Sequence, residues 1–227
     1  MNSSHTLRNS ILLGLGFALM MAALFMVFVY VPTEEYEGVI QRIFYFHVPV
    51  AWVSFLAFFV TFIFSILYLW KRETRWDSLA CASAEIGVIF TTLVLITGPI
   101  WAKPVWGVWW TWDARLTTSL VLWLIYIGYL LVRNLSGEPS RGARYGAVIG
   151  IVGFIDVPIV FIAVNLWRTQ HPSTMIFEGG LETPMLLTLM VCLAAFTVLY
   201  VLLLVQSADI KLIAARIKYL KSIIQEE

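Results

Sequence analysis

The chain is written in long apolar runs separated by short polar stretches, with little of the helical or strand alternation of a half-buried element. A bilayer-spanning helix needs about 17–25 predominantly apolar residues, and six runs qualify: Ile11–Val31, Val50–Trp70, Leu79–Trp101, Leu116–Val132, Gly146–Val164 and Pro184–Val205. The fourth is the shortest, and Thr117 to Ser119 weaken its start. No gap between runs has room for a soluble domain. The pattern therefore predicts an all-α integral membrane protein of six transmembrane helices, one unit over 1–227. The first run is read as a retained helix. Its apolar core exceeds the roughly 7–15 residues of a signal peptide, and no small-residue cleavage site follows it.

The last twenty residues differ in character. From Ala208 to Glu227, Ile210, Ile213, Ile217, Leu220 and Ile224 recur at three- and four-residue steps, with Lys211, Lys218 and Lys221 elsewhere on the wheel. This predicts a cytoplasmic amphipathic helix that lies on anionic lipid or packs on a partner.

Composition agrees with a lipid setting: 60% of residues are hydrophobic and 13% charged, against about 45–50% and about 25% in a soluble domain. A net charge of +1 without a compact basic cluster excludes a nucleic-acid surface. Cys81 and Cys192 form no Cys-x-x-Cys pair, so zinc, redox-dithiol and covalent c-type haem chemistry are not indicated, and both read as buried structural thiols. Lys and Arg sort to one side: eleven fall in alternate segments (Arg8, Lys71, Arg72, Arg75, Arg133, Arg141, Arg144, Lys211, Arg216, Lys218, Lys221) and four in the others (Arg42, Lys103, Arg115, Arg168). By the positive-inside rule both termini face the cytoplasm.

That orientation puts the stretch "WAKPVWGVWWTWDARLTT" outside. It holds five of the ten tryptophans within twelve residues. An interfacial belt would scatter such residues over many helix ends, as Trp52, Trp70, Trp76, Trp123 and Trp167 already do. If Val105–Arg115 is helical, Trp106, Trp109, Trp110 and Asp113 share one face, an aromatic shelf beside an acid. Gly107 would let a backbone or ligand approach closely. His47 and His171 fall on the same outer side, each just before a proline, whereas His5 is in the inner tail. A shelf of this kind suits a flat apolar ligand, with peptides, lipids and quinones also open. Haem would use all the parts: the shelf for the porphyrin, His47 and His171 for the iron, and Arg42, Lys103, Arg115 and Arg168 as candidates for its propionates.

The motif "WGVWWTWDARLTT" resembles the tryptophan-rich signature of the haem-handling membrane proteins of cytochrome c biogenesis. Within that group "RIFYFHVPVAW", "GPIWAKPVWGVWWTWDARLTT", "GFIDVPIVF" and the six-span length are most similar to the cytochrome c maturation protein C (haem exporter protein C) branch. The resemblance runs from about Arg42 to His171. It implies that Trp106, Gly107, Trp109, Trp110, Trp112 and Asp113 cradle non-covalent haem b in transit, and that His47 and His171 are axial ligands to its iron. It also implies a place in the bacterial inner membrane with the haem site facing the periplasm, and presentation of haem to a membrane-anchored haem chaperone. The implied partners beside the chaperone are the ATPase and permease subunits of an ABC transporter and a small single-span accessory protein. The sequence has no Walker motif, so the chain is expected to bind and transfer haem without being an enzyme.

Two intramembrane acids stand apart from this reading. Glu85 and Asp156 motivate an ion-coupled transporter as the alternative, although the chain shows no internal repeat and no obviously broken span. A structural role is expected for Asp156, bonding a backbone group freed by Pro158, with Gly150 and Gly153 allowing tight helix contact. Glu85 is expected near the wet inner surface. A ligand-free membrane scaffold is the third reading, and it leaves the tryptophan crowding unexplained.

Overall fold

The structure, a computed structural model, describes residues 3–167, 171 and 180–226. Among these residues it is helical, the only strand-like feature being an isolated bridge between Glu34 and Gly38. Helix α1 (Ser3–Phe25) ends in a π-helical turn (Met26–Tyr30), and a 3-10 turn (Val39–Ile43) leads into α2 (Phe44–Lys71). There follow α3 (Thr74–Trp106), α4 (Ala114–Leu135), α5 (Pro139–Gly153), α6 (Asp156–Leu166) and α7 (Thr183–Glu226). Six helical stretches are long and apolar enough to cross a membrane, α5 and α6 together making one of them. Each expected run falls on one of these stretches.

Two elements differ from the sequence expectation. The fifth span is broken, because the α-helical hydrogen-bond pattern is interrupted at Phe154 and Ile155, although both keep right-handed helical dihedrals. Pro158 has no N–H to give the Phe154 carbonyl and its ring crowds that group. The chain tightens there into short-range bonds instead, Ile155 N–H to Val152 O and Val157 N–H to Phe154 O, both 3.1 Å. The bond expected from Asp156 to a freed backbone group is not among those that form: its Oδ2 is buried and has no partner among the described residues. The second difference is at the C-terminal end. The amphipathic segment from Ala208 is no separate helix but continues α7, whose 44 residues run without interruption.

The bundle is organised around α2 and α3, which share its most extensive interface. On one side α7 packs on both and carries α1; on the other α5 packs on α2 while α4 packs on α3, α5 and α6. Apolar helices gain little from hydrophobicity in lipid, so close approach and interhelical polar bonds must hold them together. Both are present. Ser83 Oγ bonds the Ala57 carbonyl (2.7 Å) and pairs with the Tyr200 hydroxyl (2.8 Å), joining α2, α3 and α7. The Phe58 ring stacks on Tyr126, centroids 3.7 Å apart, and does so across Gly87, where an added Cβ would lie 2.4 Å from Phe58 Cε1. Gly87→Ala should therefore destabilise the bundle by about 1–3 kcal/mol through overpacking, visible as a lower thermal midpoint in detergent.

Charged pairs gather at the end of the bundle opposite the tryptophans. Arg133 makes a two-pronged bond to Asp77 (2.6 and 2.8 Å), with only 15% and 17% of the two side chains exposed. Lys211 reaches Glu85 at 2.7 Å, so Glu85 has a salt-bridge partner, and Arg8 pairs with Asp209 at 2.7 Å.

Candidate functional site

At the tryptophan-rich end, α3 is stopped by Gly107. That residue takes a left-handed conformation (φ +77°) natural to glycine, its N–H bonds Lys103 O at 3.0 Å, and the Lys103 ammonium bonds the Gly107 carbonyl at 2.8 Å. The chain is then irregular until Asp113, which caps α4 by accepting from the Leu116 N–H (3.0 Å) and from the Thr111 hydroxyl (3.1 Å). The expected helix over Val105–Arg115 is thus corrected to a loop between two caps. The conformational freedom of Gly107 and the capping preference of an Asp outweigh the helical spacing of the tryptophans.

The loop builds an aromatic wall without that helix. Trp106 comes from the last turn of α3, while Trp109 and Trp110 come from the loop. All three line one pocket together with His47 of α2, Arg115 of α4 and His171. The cavity is about 230 Å³. Val94, Gly98, Trp101 and Ala102 of α3, Ala51 and Phe55 of α2 and Glu37 are also among its lining residues. Gly107, Trp112 and Asp113 are not among the lining residues; Trp112 is 69% exposed and meets Trp110 edge-on at 5.6 Å. Of the four cations considered for propionates, Arg115 lines the pocket and Lys103 is engaged in the α3 cap. The Arg42 guanidinium lies 6.0 Å from the Phe28 ring centroid, and Arg168 falls outside the described residues.

His47 is held in a defined orientation. Its Nδ1 lies 2.8 Å from Thr97 Oγ1, and that hydroxyl gives its single proton to the Leu93 carbonyl at 2.8 Å. In that arrangement Thr97 accepts from the imidazole, which corresponds to the tautomer with its proton on Nδ1 and leaves the Nε2 lone pair to act as an acceptor or metal ligand. Trp101 stands edge-on to His47 at 5.8 Å, and its indole N–H donates to Glu37 Oε2 at 3.0 Å. At Gly98 an added Cβ would lie 3.4 Å from His47 Cε1, so a small residue keeps room beside the ring. Sequence reasoning missed Thr97, Gly98 and Glu37 and gave Trp101 no role. Thr97 was findable, since it precedes Trp101 by one helical turn and must share its face; for Glu37 there was no signal.

The donor set fits a metalloporphyrin: a neutral imidazole with a free nitrogen, a second imidazole, indole faces and a guanidinium. The buried Trp110 Nε1 has no acceptor among the described residues, which leaves one further donor for a ligand carboxylate. Comparison with known proteins points the same way. A family model described as heme exporter protein C matches residues 2–222. The heme exporter protein C of Bradyrhizobium diazoefficiens is 38% identical over 193 residues, 84% of this chain and 73% of that protein. That of Haemophilus influenzae is 33% identical over 175 residues, 76% and 71% of the two chains. A mitochondrial protein of Arabidopsis thaliana, described as ccmC-like and of cytochrome c biosynthesis, is 33% identical over 219 residues, 96% and 82%.

Proposed function

The chain belongs to the heme exporter protein C family, and from that premise we propose that it binds haem b non-covalently at its tryptophan-rich end and presents it to a membrane-anchored haem chaperone during c-type cytochrome biogenesis. The observation that carries this reading is the meeting of His47 and His171, far apart in sequence, in one pocket walled by Trp106, Trp109 and Trp110. In it His47 Nε2 and His171 ligate the iron, the indoles cover the porphyrin faces and Arg115 meets a propionate. Bound iron accepts imidazole nitrogens as axial ligands and exchanges them, which is the chemistry a hand-over needs.

The cavity is smaller than the roughly 300–1,000 Å³ of a site that engulfs a small molecule. A porphyrin held there would keep part of its edge at the surface, between the loop at 107–113 and His171, where an acceptor could approach and its imidazole take the place of His171 on the iron. Burial of His47 and exposure of Trp109 and Trp112 fit that division into a fixed inner side and an accessible outer side. The bias of Lys and Arg to the opposite end supports a periplasmic site in a bacterial inner membrane, with both termini cytoplasmic. In this reading the chain has no catalytic step of its own. ATP hydrolysis belongs to the ATPase of an associated ABC transporter, with its permease and a small single-span protein completing the assembly.

Removing part of the indole wall tests the proposal. Trp109→Ala combined with Trp110→Ala should lower haem per polypeptide several-fold in the purified protein, with an unchanged unfolding midpoint. Full occupancy in that variant would show that the indoles do not hold the haem.

A further inference from the structure

The segment of α7 from Ile210 onward carries an exposed apolar stripe that none of the described residues covers. Ile210, Ile213, Ile217, Leu220 and Ile224 are 66%, 60%, 49%, 50% and 71% exposed. Their spacing of three, four, three and four residues is that of the a and d positions of a heptad seam, with Ile at each a. Lys211 and Lys218, which line a cleft with Asp77, Glu85 and Arg133 at the charged end of the bundle, lie about 120–140° round the helix from the centre of the stripe at 100° per residue. The stripe therefore looks away from the bundle.

Lipid is a poor cover for it. With 44 residues rising about 1.5 Å each, α7 is roughly 66 Å long, about twice the apolar thickness of a bilayer. Lys211 is tied to Glu85 and Asp209 to Arg8, which fixes where the helix leaves the bundle. Past that level α7 stays helical for another fifteen residues, to Glu226.

The flanking charges select the partner. Arg216 and Lys221 occupy the g and e positions that border the seam, and both are exposed. In a parallel pair the g residue of one helix faces the e residue of the next heptad of the other. Two copies of this chain, anchored in one membrane with the same orientation, would thus set Arg216 against Lys221 and repel. We infer that this stripe docks an amphipathic helix of a different protein at the same membrane face, one that presents apolar a and d residues flanked by Glu or Asp. Two heptads are marginal for free peptides. Here the segment is already helical as an extension of α7, and co-anchoring in one membrane raises the effective concentration of the partner.

The test uses the full chain in phosphatidylcholine nanodiscs and two fluorescent synthetic 21-residue helices with identical Ile and Leu seams, one with Glu and one with Lys at every e and g position. Anisotropy should show the Glu helix bound at least tenfold more tightly. Arg216→Glu with Lys221→Glu should reverse that preference, and Ile217→Gln with Leu220→Gln should abolish binding of both, each without change in the unfolding midpoint. Equal affinity for the two helices, or a preference that survives charge reversal, would overturn the inference. So would a dimer of the full chain that the Gln pair dissolves, or loss of the stripe to the bilayer when 30% phosphatidylserine is included.

Discussion

His47→Ala and His171→Ala should each shift the Soret band of the haem-loaded protein and cut haem delivery to an acceptor by tenfold or more. The expectation is strongest for His47, whose imidazole is buried and oriented by the bond from Nδ1 to Thr97. Partners that orient a ligating histidine typically matter about 10–100-fold for metal affinity. Thr97→Val, which keeps the shape of the side chain and removes the acceptor, should therefore weaken haem binding within that range while His47 stays in place. Thr97→Ser should restore it. An effect of Thr97→Val on thermal stability alone, with an unmoved spectrum, would assign Thr97 to packing. Unchanged spectra in both histidine variants would remove the axial-ligand assignment.

Asp77→Ala should be the most damaging change at the other end of the molecule. Its carboxylate takes both prongs of the Arg133 guanidinium, and the pair is largely buried. Breaking a buried pair by deleting one partner leaves an uncompensated charge and costs about 3–5 kcal/mol. The unfolding midpoint should fall steeply, and Arg133→Met added to Asp77→Ala should recover much of the loss by removing the stranded charge. The Soret position of whatever protein remains folded should not move, because His47 and His171 lie at the far end. A spectral shift in Asp77→Ala with no fall in stability would contradict this division of labour.

The spans were legible because apolar run length is set by bilayer thickness and needs no tertiary information. The end of α3 was not. Helical spacing over Val105–Arg115 looked persuasive, yet Gly107 and Asp113 are a stop and a start, and read as caps they place a loop between them. The break in the fifth span was likewise written in Pro158 but hidden by the unbroken apolar run around it. The meeting of His47, His171 and Arg115 in one pocket with Trp106, Trp109 and Trp110 could be suspected from topology, which sorts residues by side of the membrane. Of its details only Thr97 was within reach, one turn before Trp101: Gly98 comes beside His47 through the packing of α3 on α2, and Glu37 meets Trp101 from the connection that precedes α2. The amphipathic end of α7 was visible as a pattern, but its projection away from the bundle depends on the helix being continuous.

The proposed transit of haem through this pocket leaves a spectral signature. The most direct measurement is the absorption spectrum of the detergent-purified protein from haem-replete cells, taken with and without coexpression of a haem-chaperone acceptor. A Soret band from non-covalent haem b is expected without the acceptor and a weaker one with it. A colourless protein under both conditions would contradict the proposed transit.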